Sequence, residues 1–317
     1  MDKITIGIDI SKQKFDVAYK TTDQRWRQGM FANTPKGFQE LLQWLDSDST
    51  KVIHSVMEAT GRYGEDLAYF LYLSGHEVSV VNPAQIKHYG RCLLKRSKTD
   101  KIDSRLIAEF AERHKLTLWK PLSPSLQALK EQVRCLNTFK EDATQTSNRL
   151  ESAKDPKVCN AHKKHLEYIQ KQIKDLESAI KELIKKDPDL GKQVSLLVSI
   201  PGIGEMSAWN LLAELPDLGS FKCAKQLAAY AGLNPSIRMS GTSVKGRESM
   251  SKMGHQFLRK VLFMPAMSLM GRQTALRPFI DKLRSRGKKG KVIVGAVMHK
   301  LIHIIFGVMK KQVAFQG

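Results

Sequence analysis

Two runs of apolar residues at heptad spacing constrain this chain more than any other feature of it. Leu126, Leu129, Val133 and Leu136 recur at intervals of 3, 4 and 3, and Leu166, Ile169, Ile173, Leu176, Ile180 and Leu183 at intervals of 3, 4, 3, 4 and 3. That alternation keeps side chains on one stripe of an α-helix and sets two such stripes against each other. The stretch AKDPKVCN, 153–160, interrupts both patterns with an aspartate and a proline. The spacing therefore predicts an antiparallel coiled-coil hairpin over 119–188, an arm of the kind that extends from a body to meet a partner. It divides a 317-residue chain that already exceeds the roughly 250 to 300 residues at which single cores stop growing. Three parts are expected: 1–118, 119–188 and 189–317.

The first part reads as a mixed α/β sheet. ITIGIDI (4–10) and KFDVAYK (14–20) are two short strands rich in β-branched residues, and 26–32 suits a third. A helix starts near Asn33–Pro35, VIHSVMEA (52–59) is a buried central strand, and a helix, a strand at 77–81 and a helix after Pro83 follow. KTDKIDSRLIAEFAERHK (98–115) is an amphipathic helix with Ile102, Leu106, Ile107 and Phe110 on its apolar side. Strands in a meander and then alternating with helices imply one mixed sheet.

Four acids stand out in this part by position. Asp9 ends the first strand, Glu58 ends a central strand, and Asp100 with Asp103 lie three apart in the first turn of the later helix, so both project from one side. If the first and central strands are neighbours, all four converge at one sheet edge. Carboxylates so packed repel one another unless a cation sits among them, and Mg²⁺ prefers hard oxygen ligands of this type. Two ions about 3.5 to 4 Å apart can hold and polarise a phosphodiester. That is the carboxylate logic of ribonuclease-H-like nucleases. Each acid alone also has a plain structural reading as a turn former, strand-end charge or helix cap.

The third part differs in charge. Residues 221–317 hold 19 lysines and arginines against 2 acids, so the last 97 residues carry +17 of the net +21. A solvated face normally mixes both signs, so this block calls for a polyanion, with nucleic acid first. Lys245, Arg247, Lys252, Arg259, Lys260, Lys288, Lys289 and Lys291 are its candidate phosphate contacts, together with Arg238. About 8 neutralised phosphates predict a slope of log K against log salt of roughly −6 to −7. SIPGIGEMSAWNLLAEL (199–215) has the apolar-Pro-Gly-apolar-Gly turn of a helix-hairpin-helix, and helices near 222–231, 251–271, 274–286 and 291–311 complete an all-helical domain. Within it, RMSGTSVKGR (238–247) is the longest plausible loop. No histidine or carboxylate stands beside Ser240 to activate it, and Thr242, Ser243, Ser249 and Ser251 are equally eligible as phosphate-binding hydroxyls.

Other features exclude classes. Cys92, Cys135, Cys159 and Cys223 have no close spacing, which suits reduced thiols in a cytoplasm. The N-terminus runs directly into a strand pattern, so no signal peptide is expected. VIVGAVMHKLIHIIFGVM (292–309) is long and apolar, but His299, Lys300 and His303 at its centre make it a core helix and not a membrane span. The pairs His162 with His165 and His299 with His303 lack a third metal ligand nearby and read as solvent-facing or core histidines.

With these residues in view, the chain resembles the aspartate-glutamate-aspartate-aspartate (DEDD) transposases of bacterial insertion sequences, relatives of the Piv-type DNA invertases. IGIDISK with Asp9, MEATGRYG with Glu58, and KTDKIDSRLIAEF with Asp100 and Asp103 carry the likeness in the first half. SIPGIGEMSA, QLAAYAGLNPSIRMSGTSVKG, SKMGHQFLRKVLFMPAM and RGKKGKVIVGAVMHKL carry it in the second. The resemblance implies a RuvC-like N-terminal domain, a coiled-coil arm and a helical transposase domain with a nucleophilic serine, which falls on Ser240. It further implies Mg²⁺ on Asp9, Glu58, Asp100 and Asp103, and donor and target DNA paired with a structured bridge RNA. A homo-oligomer is also implied, dimer or tetramer, in which the serine of one copy meets the carboxylates of another, in a nucleoid-associated bacterial setting. A Mg²⁺-dependent hydrolytic nuclease or junction resolvase is the enzymatic alternative. A non-catalytic nucleic-acid-packaging protein is the other.

Overall fold

The computed structural model describes residues 4–46, 52–59, 61–93, 100–215, 218–236, 239–240, 244–245, 249–271 and 275–316. They fall into two compact units, Met1–Pro121 and Leu122–Gly317.

The first unit is built on a five-stranded mixed sheet. Strands β1 (Ile4–Ile10), β2 (Lys14–Lys20) and β3 (Trp26–Ala32) form an antiparallel meander; helix α1 (Pro35–Asp46) follows. Strand β4 (Ile53–Glu58) lies parallel to β1, and after helix α2 (Glu65–Leu73) strand β5 (Glu77–Val81) lies parallel to β4. The order is β3-β2-β1-β4-β5. Helices α3 (Pro83–Cys92) and α4 (Asp100–Arg113) complete the unit. Asn82 starts α3 by accepting a hydrogen bond from the Ala84 amide at 2.9 Å, with Pro83 preset in the first turn.

Strand alternation sorts the side chains into two cores. Ile6, Ile8, Ile10, Phe15, Val17 and Met57 pack against Phe38 and Leu41 of α1 and Leu67 and Leu71 of α2. Val56 and Val81 point the other way, against Ile86 of α3 and Leu106, Ile107 and Phe110 of α4. Both faces of the central strands are thus covered, which explains why β4 is buried at every position but its last.

The second unit opens with helices α5 (Pro124–Ser152) and α6 (Pro156–Lys186), of 29 and 31 residues. Ser123 caps α5 through Leu126 N at 3.2 Å, and Asp155 caps α6 through Lys157 N and Val158 N. The two run antiparallel, with Lys140 Nζ of α5 at 2.8 Å from Glu177 Oε1 of α6. Leu129, Val133, Leu136 and Ile180 belong to the same buried cluster as the helices that follow, so this end of the pair is part of the helical body.

That body comprises α7 (Pro188–Val198), α8 (Glu205–Glu214), α9 (Ala224–Tyr230), α10 (Gln256–Met270), α11 (Arg277–Ser285) and α12 (Gly290–Lys311). Gly202, between α7 and α8, has φ +87°, and a Cβ there would lie 3.0 Å from both Leu269 Cγ and Pro265 O of α10. Only glycine combines that backbone with so close a neighbour. Helix α12 is long and apolar enough to cross a membrane by length and composition, yet it lies in the core, burying Ile293, Val297, Leu301, Ile302 and Ile305. The body is not wholly helical. Among the described residues between α9 and α10 lie four two-residue strands, β6 (Pro235–Ser236), β7 (Met239–Ser240), β8 (Val244–Lys245) and β9 (Ser249–Met250). They are too short and too polar to show an apolar alternation.

Candidate active site

The strand register brings two of the four expected acids, Asp9 and Glu58, to one edge of the first unit, and the close seat of α4 on Gly7 sets that helix on the same face. The register aligns Ile8 with Met57, so Asp9 and Glu58 follow level with each other at the ends of parallel neighbours β1 and β4. Gly7 and Asp9 share one face of β1, and Val56 and Glu58 the matching face of β4. A Cβ on Gly7 would stand 2.2 Å from Ser104 O and 2.4 Å from Ala108 N, both backbone atoms of α4. Helix α4 therefore lies on the face that carries Asp9 and Glu58.

The direction of α4 follows from its side-chain contacts. Arg105 Nη2 donates to Gln28 Oε1 at 2.9 Å, and Glu112 pairs with Lys20 at 3.2 Å. Gln28 lies level with Ala18 and Gly7, whereas Lys20 lies two residues further toward the start of β1. The helix consequently runs antiparallel to β1. Its first turn, with Asp100 and Asp103, points to the edge where Asp9 and Glu58 end their strands. The side chain of Asp100 lies outside the described residues. Among the described residues, no three His, Cys, Asp or Glu side chains close into a ligand cluster.

One acid at this edge escaped the sequence reading. Asp16 pairs directly with Asp9 across β1 and β2, on the same face, and is 5% exposed. Lys14 Nζ stands 3.4 Å from Asp16 Oδ2. The signal was present as a charge in the middle of the apolar strand FDVAY. Like charges directly opposite are destabilising, and a set of hard carboxylate oxygens gathered on one face is chemically suited to a divalent cation. A cleft lined by Ser11, Lys14, Met30 and Phe31 opens at the same edge.

In the second unit the stretch around Ser240 is a paired hairpin. Ser240 pairs with Val244 and Met239 with Lys245, while Pro235 pairs with Met250 and Ser236 with Ser249. The side chains of Ser240 and Lys245, and Arg238 and Arg247 altogether, lie outside the described residues. The root of the hairpin is tied to the turn after α9: Ser251 N donates to Asn234 O at 2.9 Å, Lys252 N to Gly232 O at 3.2 Å, and His255 N to Tyr230 O at 2.7 Å. Lys252 takes φ +56° there.

The basic candidates do not all stand equally ready for phosphates. Arg259 Nη1 donates to Ala231 O at 2.9 Å, and Lys260 Nζ lies 2.6 Å from Glu141 Oε1. Lys252, Lys288, Lys289 and Lys291 are exposed, the last three at the start of α12, where the helix dipole adds to their positive charge. Of the histidine pairs, His162 and His165 lie on α6, and the His299 and His303 rings are 4.6 Å apart on α12. Burial holds both α12 histidines below the ordinary histidine range, and the Lys300 charge adds to it.

Comparison with known proteins covers both units. Residues 6–155 match the profile of the DEDD transposase of IS110, and residues 194–280 that of the IS116/IS110/IS902 transposase family. The pilin gene-inverting proteins of Moraxella lacunata and Moraxella bovis are each 35% identical over 318 aligned positions, covering 99% of this chain and 98% of their own length. The transposase of insertion sequence element IS1111A from Coxiella burnetii is 23% identical, over 84% of this chain and 77% of its own.

Proposed function

The chain belongs to the IS116/IS110/IS902 family of transposases, and on that premise we propose that it cuts and rejoins DNA through a covalent link to Ser240, guided by a structured RNA. It is a DNA recombinase acting on DNA, and its DEDD domain implies dependence on a divalent metal. The finer reading assigns Asp9, Glu58, Asp100 and Asp103 as the residues that hold the cation, Mg²⁺ by their hard oxygen chemistry. When bound there, the ion supplies positive charge to a phosphodiester oxygen.

The chain's own residues do the rest. Ser240 Oγ forms a bond to phosphorus as a deoxyribose oxygen leaves and takes up a proton. Attack by the deoxyribose hydroxyl of another strand then restores a phosphodiester and frees the serine. One phosphoester bond forms for each that breaks, so no nucleotide cofactor is consumed. Lys252, Lys288, Lys289 and Lys291 neutralise backbone phosphates of DNA or guide RNA. A homo-oligomer lets the serine of one copy serve the carboxylates of another.

The observation that supports this reading is the seat of α4 on Gly7, with the first turn of the helix directed toward the ends of β1 and β4. The test is a denaturing gel of element-end DNA incubated with the protein, cognate RNA and Mg²⁺. A denaturation-resistant protein–DNA adduct is expected in wild type and absent from Ser240→Ala and Asp100→Ala. Cleavage without an adduct that survives in Ser240→Ala would replace this mechanism with hydrolysis by a nuclease or junction resolvase. Unaltered biological effect in Asp9→Ala or Glu58→Ala would instead favour a packaging role.

A further inference from the structure

His255 lies at the root of the serine hairpin and joins four elements. Its amide donates to Tyr230 O, its ring stacks on Tyr230 with centroids 5.6 Å apart and planes 19° off parallel, and its Nδ1 accepts the Leu258 amide at 3.1 Å as the cap of α10. On the other side of the ring, Nε2 faces Glu214 Oε2 at 3.4 Å. Glu214 ends α8 as a buried carboxylate that Arg134 of α5 grips with two bonds, Nε to Oε1 at 2.8 Å and Nη2 to Oε2 at 3.1 Å. A carboxylate desolvated this far is stable only when paired and hydrogen-bonded, so its position is fixed by Arg134 and transmitted to the imidazole.

We propose that the Arg134–Glu214–His255 chain is a positioning device that sets the angle and height of the hairpin bearing Ser240, with His255 as its terminal element. The proposal rests on the reading of Ser240 as nucleophile.

The device works in one protonation state. An Nδ1 that accepts from Leu258 must carry a lone pair, so the proton of the neutral ring sits on Nε2 and faces Glu214. A second proton, on Nδ1, would point at the Leu258 N–H and break the cap. The charged and titratable groups around the ring are Glu214 of α8, Arg134 and Lys130 of α5, Arg259 of α10 and Tyr230 of α9. Burial holds His255 below its ordinary range; Glu214 opposes this, and Arg134, Lys130 and Arg259 reinforce it. Because the folded protein prefers the neutral ring, the anchor is intact above the ordinary histidine value of about 6.5 and is lost as pH falls through the lower folded value.

The test compares wild type, His255→Ala and His255→Asn in the full chain with RNA, DNA and Mg²⁺. Asparagine keeps an oxygen acceptor for the α10 cap and does not titrate. His255→Ala should slow adduct formation by about 10- to 100-fold, the scale of a small misplacement of a reacting group, with DNA binding unchanged. His255→Asn keeps the cap but has no ring nitrogen to face Glu214, so it should recover only part of the rate, with no acid limb from this residue. Amide hydrogen exchange, read without activity, should rise at Ser251 and Lys252 in His255→Ala and fall partway back in His255→Asn. Wild-type rate and exchange in His255→Ala, or an acid limb retained in His255→Asn, would overturn the proposal. An adduct persisting in Ser240→Ala would overturn the nucleophile reading instead and leave the exchange result to judge the anchor alone.

Discussion

Replacing Gly7 by alanine puts a single methyl group between β1 and α4, and its consequences can be worked from the structure. The new Cβ would sit 2.2 Å from Ser104 O and 2.4 Å from Ala108 N. Both are backbone atoms of a helix, so neither can swing aside as a side-chain end would. Restoring ordinary contact requires α4 to retreat from the sheet by about 1 Å, an overpacking that costs about 1–3 kcal/mol of stability. The retreat carries the first turn of α4 away from the strand ends that hold Asp9 and Glu58, which belong to the sheet and stay. A displacement of that size at a reacting centre costs on the order of 100-fold in rate. DNA affinity, assigned to the second unit, should hold. Adduct formation timed by quenched-flow, fluorescence anisotropy for DNA binding and a thermal melt separate the three quantities. Gly7→Ala with the wild-type rate and melting temperature would refute the argument that this contact seats the carboxylates.

Asp16→Asn removes the charge opposite Asp9, so in the absence of divalent ions it should stabilise the fold by about 0.2–1 kcal/mol; with DNA present, it should raise the Mg²⁺ concentration needed for half-maximal cleavage. A calorimetric melt and a Mg²⁺ titration check the two halves. Arg134→Ala leaves Glu214 buried with His255 alone, and should destabilise by about 2 kcal/mol in a urea melt, less than for a wholly buried pair because the guanidinium is partly exposed. With Arg259 and Lys260 held by protein partners, about 6 of the eight candidates remain to meet phosphates, which predicts a salt slope near −5 instead of the −6 to −7 expected from all eight. Binding measured from low to moderate KCl decides between them.

What was legible in the sequence is what periodicity controls. The β-branched alternation of ITIGIDI and KFDVAYK marks β1 and β2 at their observed bounds, and the apolar run ending in Glu58 marks the central strand that pairs with β1. The heptad stripes mark α5 and α6. Contacts made across the fold were not legible. Gly7 reads as any strand glycine until α4 lies on it, and Asp16 gains meaning only from the pairing that sets it against Asp9. Leu129, Val133 and Leu136 announce a stripe but not that the helical body covers part of it. Glu214 and His255 are 41 positions apart, and neither is distinctive where it stands; burial and a shared partner make them one group. Among the described residues, the strand that holds Ser240 and the strand it pairs with are two residues each, too short for any repeat to register.

In the proposed mechanism Ser240 becomes covalently joined to DNA. The most direct measurement is mass spectrometry of the trapped adduct after nuclease and trypsin digestion. Cleavage after Arg238 and Lys245 releases MSGTSVK, Met239–Lys245, which holds Ser240, Thr242 and Ser243 together. Fragmentation should locate the residual nucleotide on Ser240. A nucleotide on Thr242, Ser243 or any residue outside this peptide, or no peptide-linked nucleotide from a reaction that has cut its DNA, would contradict the account.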